Sequence, residues 1–175
     1  RSCRFINKGK ENLELTNAMS MCLDLPDCNY EWIQLSGAWA REREVKHRKL
    51  EQGIQAVSSA RGNSSHNHNP YFILDKNATE SRRGSSSHAQ NPFIALARKN
   101  TTETNGDIYG FSFVYSGNFL AQVEVDTYDV SRVLMGINPF GFTWHLGEGE
   151  EFQTPEAVMV YSDKGMNGVS QTYHK

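Results

Sequence analysis

Three histidines in a short span, His66, His68 and His88, are the first residues with chemistry to offer. Imidazole is the commonest metal ligand and the usual general base near neutral pH. A zinc or copper site, however, needs further ligands at a recognisable spacing, and no carboxylate or cysteine completes such a set here. Ser64 and Ser65 beside His66 suggest a nucleophile and its base, yet nothing in the spacing supplies the third, orienting group of a triad. Ser, Asn and His clustered around Gly and Pro more commonly hydrogen-bond the local backbone, and that is the reading taken for these histidines. A Walker A loop, a dinucleotide fingerprint, a Gly-x-Ser-x-Gly elbow and a His-Glu-x-x-His helix are all missing from the sequence. Carboxylates such as Asp126 and Asp129 show no spacing that would mark a glycosidase pair. Neither a catalytic residue, a metal nor a cofactor is expected.

The histidines recur because the chain is written twice. Arg-Gly-x-Ser-Ser-His-x-x-Asn-Pro begins at Arg61 and again at Arg83, an offset of 22 residues. Leu74 then matches Leu96, Tyr71 faces Phe93, and Lys76 faces Arg98. After a slip of one residue, Asn77, Thr79 and Glu80 match Asn100, Thr102 and Glu103. The duplication covers residues 61–80 and 83–103. Each copy runs from a polar loop through an Asn-Pro step into an apolar stretch, "PYFIL" or "PFIAL", suited to a strand. Two copies are too few for a stacked solenoid.

A different chemistry lies in the aromatics. Tyr30, Trp32 and Trp39 flank "IQLSGAW". Sugars present apolar C–H faces that stack on indole and phenol rings, while their hydroxyls are met by amides and charged groups. The competing reading is that both indoles fill the core, more naturally for Trp32 than for Trp39.

These residues belong to a chain of 175 with net charge −2, pI about 6.3 and 38% hydrophobic residues. That composition is globular and large enough for one domain with a real core, so residues 1–175 are read as a single domain. No basic surplus points to nucleic acid, and no apolar run approaches the length of a membrane span. Cys3, Cys22 and Cys28 are odd in number and lack Cys-x-x-Cys spacing, which suits reduced thiols in a cytoplasmic protein. A start on "RSCRF" without Met suggests a processed or excised piece.

The elements that must position the aromatics and the repeat are mostly strands. Phe111, Phe113 and Tyr115 alternate with small or polar residues, then "SGN" turns the chain. Phe119, Ala121, Val123 and Val125 follow at period two, then Val133, Met135 and Ile137, then Phe140, Phe142, Trp144 and Leu146, then Ala157, Met159 and Tyr161. Such alternation with tight turns predicts an all-β, antiparallel architecture. "RFINKGKENLELTNAM" reads as strand, turn, strand, and Tyr30–Leu35 as another strand. "AWAREREVKHRKLEQG" is ambiguous: composition favours helix, while alternating charges without an apolar stripe suit a solvated strand.

The strings "LDLPDCNYEWIQLSGAWARERE", "RKLEQGIQAVSSARG", "SSHAQNPFIAL", "YGFSFVYSGNFLAQVEVD", "RVLMGINPFGFTW" and "FQTPEAVMVYSDKGMN" together resemble the microbial α-galactosidases of glycoside hydrolase family 36. The resemblance covers nearly the whole chain and corresponds to the later portion of the family's N-terminal β-supersandwich domain. It implies an antiparallel β-sandwich, a partial supersandwich completed by self-association or by the duplicated strand. It also implies that "REREVKHRKLEQ" is β. The family's catalytic aspartates belong to a following (β/α)8 barrel, which the resemblance does not reach, so none can be placed on this sequence. In tetrameric members the sandwich domain of one subunit helps wall the active site of another, which makes Trp39, and less directly Tyr30, the candidate sugar-contacting residues. A single "RG-SSH--NP" block is the family's pattern, so the second copy is a departure. A crossover slipped by one unit, natural or from laboratory assembly, would leave this junction.

The expectation is therefore a non-catalytic β-sandwich domain derived from an α-galactosidase. Its partners would be other copies of itself and, weakly, galactose-containing sugars, with no nucleic acid and no membrane. The alternatives are a fragment of an active α-galactosidase and a stand-alone carbohydrate-binding module.

Overall fold

The computed structural model describes residues 1–38, 41–62, 68–74, 93–97 and 101–173. Among the described residues the protein is built almost entirely of strands in small, mainly antiparallel sheets. The clearest is a four-stranded sheet of β3 (Met19–Leu25), β11 (Ser131–Ile137), β10 (Phe119–Val125) and β6 (Gly53–Ser58), in that order. β10 and β11 pair over their full length, from Phe119 opposite Ile137 to Val125 opposite Ser131. Phe119, Ala121, Val123 and Val125 all point into the core, as their period-two spacing demands, while Leu120, Gln122 and Glu124 face outward and are half-buried.

The larger sheet contains β14 (Glu156–Ser162), β9 (Ile108–Val114), β7 (His68–Leu74), β8 (Phe93–Ala97), β4 (Glu31–Ala38) and β5 (Arg41–Lys49). Its inner face contributes Trp32, Phe111, Phe113 and Ala157 to the same apolar cluster as Val123, Val133 and Met135 of the smaller sheet. One core thus joins the two sheets. The outer face of the larger sheet is covered by α1 (Gly165–Tyr173), which packs Val169, Met166 and Tyr173 against Ile33, Ile108 and Val160. Two short pairs complete the fold: β1 (Arg4–Ile6) with β13 (Glu151–Gln153), and β2 (Leu13–Leu15) with β12 (Trp144–Leu146). Asn7 ties them together, donating to the Glu11 and Leu146 carbonyls at 2.8 and 3.0 Å and accepting from Gly9 N–H at 2.9 Å.

Several expectations change here. β1 and β2 are strands, as read, and they pair with β13 and β12. The alternation read through Phe140 and Phe142 stops short, because Pro139 and Gly141 (φ +70°) form a turn closed by Phe142 N–H to Pro139 O at 3.1 Å. Only Trp144–Leu146 of that stretch is a strand. The all-β expectation is corrected by α1. This helix holds Gly165, Gly168 and Asn167, poor helix formers that tertiary packing of its apolar face overrides. The charged segment at Arg41–Lys49 is a strand, as the family resemblance implied and against its composition. Cys3, Cys22 and Cys28 are not bonded to one another.

Candidate functional site

The two candidate residues frame one hairpin. β4 and β5 are antiparallel from Glu31 opposite Lys49 to Ala38 opposite Arg41, with an irregularity between Ser36 and Ala38. Trp39 falls in the connection and lies outside the described residues. Tyr30 stands just before β4, is 2% exposed, and packs edge-on against Tyr109 with ring centroids 6.2 Å apart. Its ring is therefore part of the hairpin's foundation and meets protein in this chain.

Between these ends runs a ladder of polar groups on the core-facing side of β4. The Trp32 indole N–H donates to Gln34 Oε1 at 2.9 Å, and the Gln34 amide N–H donates to Ser36 Oγ. Arg48, opposite Trp32 on β5, donates to the same Gln34 oxygen and lies 5.0 Å over the Trp32 ring. Burial lowers the Arg48 pKa from its usual value, because a charge removed from water is disfavoured. Trp32, Gln34 and Ser36 are all buried, so these bonds hold the strand rather than await a ligand. On the opposite face His47 Nδ1 sits 3.5 Å from Glu31 Oε2. The β4–β5 stem is thus held on both faces.

The first repeat begins at the same end of the molecule. Ser59 N–H donates to Phe119 O at 2.9 Å, Asn138 Nδ2 donates to Ser59 O at 2.9 Å, and Gly62 N–H donates to Asn118 Oδ1 at 2.6 Å. Gly62 has φ +84°, which glycine adopts readily. From there the chain reaches His68, paired with Ser36 near the end of β4. Beside Gly62 lies a shallow cleft lined by Tyr115, Asn118, Asn138, Phe140 and Phe142. Its amides already serve the backbone: Asn138 Oδ1 also accepts from Phe140 N–H at 3.0 Å.

His66 and His88 lie outside the described residues, and His68 belongs to β7. Among the described residues, no three His, Cys, Asp or Glu side chains gather as a metal would require. Sequence reasoning missed the polar ladder, although Trp32, Gln34 and Ser36 at period two were the available signal. It also missed Tyr161, whose hydroxyl donates to Asp107 Oδ1 at 2.6 Å and whose ring lies 5.1 Å from Tyr109. That hydrogen bond, with burial and the Asp107 charge adding to it, pushes the Tyr161 pKa up to about 12.

Comparison with known proteins gives a consistent picture. The profile of the glycosyl hydrolase family 36 N-terminal domain matches residues 1–80 and again 76–147, the two matches overlapping at residues 76–80, the end of the first repeat copy. The α-galactosidase AgaA of Geobacillus stearothermophilus is 57% identical over 175 residues, which is 100% of this chain and 21% of that protein. The α-galactosidase C of Emericella nidulans is 38% identical over 175 residues, 100% of this chain and 20% of its own length. A crystal structure of a variant of the Geobacillus AgaA in complex with raffinose superposes with a TM-score of 0.82 at 55% identity, over 97% of this chain and 21% of that one. The chain spans about a fifth of the length of these relatives.

Proposed function

Since the chain belongs to glycosyl hydrolase family 36, matching its N-terminal domain, we propose that it is a non-catalytic β-sandwich module of an α-galactosidase. In this reading hydrolysis of terminal α-galactosides is carried by the part of the relatives that these residues do not match. The module's own work is assembly, together with presentation of Trp39 to a galactoside bound in a neighbouring subunit. The reading rests on the β4–β5 hairpin, a stem cross-tied through Gln34, Ser36 and Arg48, whose two strands are joined in sequence by the segment that contains Trp39. A stacking platform works only if its side chain is held in place before the sugar arrives, and such a stem provides that. The module is assigned to the cytoplasm, a setting that suits three unbonded thiols.

Self-association is part of the proposal. β5 is an edge strand, but its alternating charges blunt it against further pairing. The other edge, β14, carries Met159 and Tyr161, about half exposed on the face whose other members are buried in the core. Arg1 covers β14 only at its start, where Ala157 N–H donates to Arg1 O at 2.7 Å. A second copy packing over Met159 and Tyr161 would extend the core across this edge.

The test has three readings. An aryl α-galactoside incubated with the pure chain should turn over no faster than the buffer blank, and turnover that survives repurification overturns the non-catalytic assignment. Raffinose titration followed by tryptophan fluorescence should respond in the oligomer and not in Trp39→Ala. Light scattering should give a mass above that of one chain, and a single-chain mass unchanged by dilution removes the self-association.

A further inference from the structure

The two repeat copies pair with the same stretches of β4 and β9. β7 is antiparallel to β4, with Trp32 opposite Leu74, Ile33 opposite Ile73 and Ser36 opposite His68. β8 is antiparallel to β9, with Phe93 opposite Ser112, Ala95 opposite Gly110 and Ala97 opposite Ile108. β7 also meets β9, and does so with Ile73 opposite Gly110, the very residue that pairs with Ala95. Ile73 and Ala95 are equivalent in the repeat, 22 residues apart. The β4 ladder tells the same story from the other side: one step beyond Leu74 is position 75, whose equivalent is Ala97, and Ala97 pairs with Glu31. Between the copies themselves Leu74 is opposite Leu96, again equivalent positions, running parallel.

Two strands laid side by side would each touch only one of the flanking strands, and would part β4 from β9 by an extra strand spacing of about 4.8 Å. Instead each copy pairs with both flanking strands in the same register. We infer that the gap between β4 and β9 is a slot one strand wide, and that either repeat copy fills it while excluding the other. The chain then has two alternative strand pairings related by the 22-residue offset.

The exchange moves a loop from one end of the sheet to the other. With the first copy in the slot, the link from β6 is residues 59–67 and the link onward to β9 is residues 75–107. With the second copy in the slot, the link from β6 lengthens to residues 59–92 and the onward link shortens to residues 98–107. Because the slot strand is antiparallel to β4, its preceding loop always arrives at the Ser36 end of the hairpin. In both states that loop is an "RG-SSH--NP" segment, so the hairpin end meets the same loop chemistry whichever copy is seated. What changes is where the surplus chain emerges: at the hairpin end or at the end where β9 begins.

Disulfide trapping in the full chain tests this, with Cys3, Cys22 and Cys28 changed to Ser. Ser36→Cys with His68→Cys reports the first copy beside β4, and Phe93→Cys with Ser112→Cys reports the second beside β9; cross-strand neighbours lie within disulfide reach. Each pair alone should close on mild oxidation. In the chain carrying all four cysteines, intact mass should show the hydrogens of one disulfide lost per molecule. Molecules with both bonds would show two strands seated together and overturn the inference. Closure of only one of the two separate pairs would show a single permanent occupant and overturn it as well. Deletion of residues 61–82, or of residues 78–100, leaves one copy; both shortened chains should keep the β spectrum and a cooperative melt. Loss of folding in either deletion shows that its copy has a place of its own, which also refutes the single slot.

Discussion

Phe111 and Met159 face each other across the β9–β14 ladder, and their truncation should separate where the core ends. Both side chains lie on the inner face of the larger sheet, yet Phe111 is fully buried while Met159 is 45% exposed. Phe111→Ala removes a ring packed on every side, and such changes cost about 3–5 kcal/mol. For a chain of this size each kcal/mol lowers the melting temperature by about 2–4 °C, so a drop of about 6–20 °C is expected. Full burial of a Met side chain contributes about 1.5–3 kcal/mol, and roughly half of that is in force at Met159. Met159→Ala should therefore cost about 1 kcal/mol in the isolated chain. Urea unfolding followed by circular dichroism measures both. Equal losses in dilute protein would refute the reasoning, because the inner face could not then be open at β14. Repeating the measurement at high protein concentration adds the proposed self-association to the same experiment. A second copy seated over Met159 should raise the cost of Met159→Ala while leaving that of Phe111→Ala in place, since binding stabilises by mass action. A Met159→Ala cost that ignores concentration argues against this edge as the interface.

Two further measurements probe separate parts of the fold. A Cβ added at Gly136 would sit 2.5 Å from Met19 Cα and 2.7 Å from Ala18 O, at the irregularity between β11 and β3, so Gly136→Ala should destabilise by about 1–3 kcal/mol through forced backbone movement; an unchanged thermal midpoint would show that β3 moves freely. Tyr161 should ionise at about 12, and Asp107→Asn should return it toward the ordinary value of about 10. Because the folded pKa is raised, its stabilising contribution is complete below the unfolded pKa of about 10 and disappears as pH climbs toward 12. Tyrosinate absorbance against pH reads this directly, and a wild-type titration matching Asp107→Asn would show that the hydrogen bond does not form in solution.

Much of the architecture was legible because period-two spacing is a direct consequence of strand geometry. Phe119, Ala121, Val123 and Val125 are the clearest case, buried at every second position. The same rule carried too far at Phe140 and Phe142, where Pro139 and Gly141 dictate a turn before pairing can begin. Strand pairing was the least legible feature: β1 and β2 are adjacent in sequence and separate in space, since partners more than a hundred residues away offer better ladders. Residues 41–49 show tertiary pairing with β4 overriding a helix-favouring composition, and there family resemblance was the better guide. At the candidate site the aromatic spacing drew attention to the right hairpin. It could not reveal that Tyr30 lies beneath the hairpin or that Gln34 organises its stem, because both depend on β9 and β5 being alongside.

The duplicated loop and strand bear on how such a sheet tolerates surplus chain. Closing a flexible loop costs only about 0.6 kcal/mol more for each doubling of its length, so carrying an extra loop at either end of the sheet is a small penalty. Seating a strand is the larger effect, because it satisfies backbone groups on both neighbours and buries one row of side chains. The slot therefore discriminates between the copies through their side chains far more than through the loops they drag with them. Opposite Ile33, which is buried, the first copy offers Ile73 and the second the equivalent Ala95. A β-branched residue favours a strand over alanine, which biases occupancy toward the first copy. Ala95→Ile should remove that bias and raise the yield of the disulfide between positions 93 and 112 relative to that between 36 and 68. An unchanged ratio would mean that the connecting loops, and not the seated residues, decide which strand the sheet accepts.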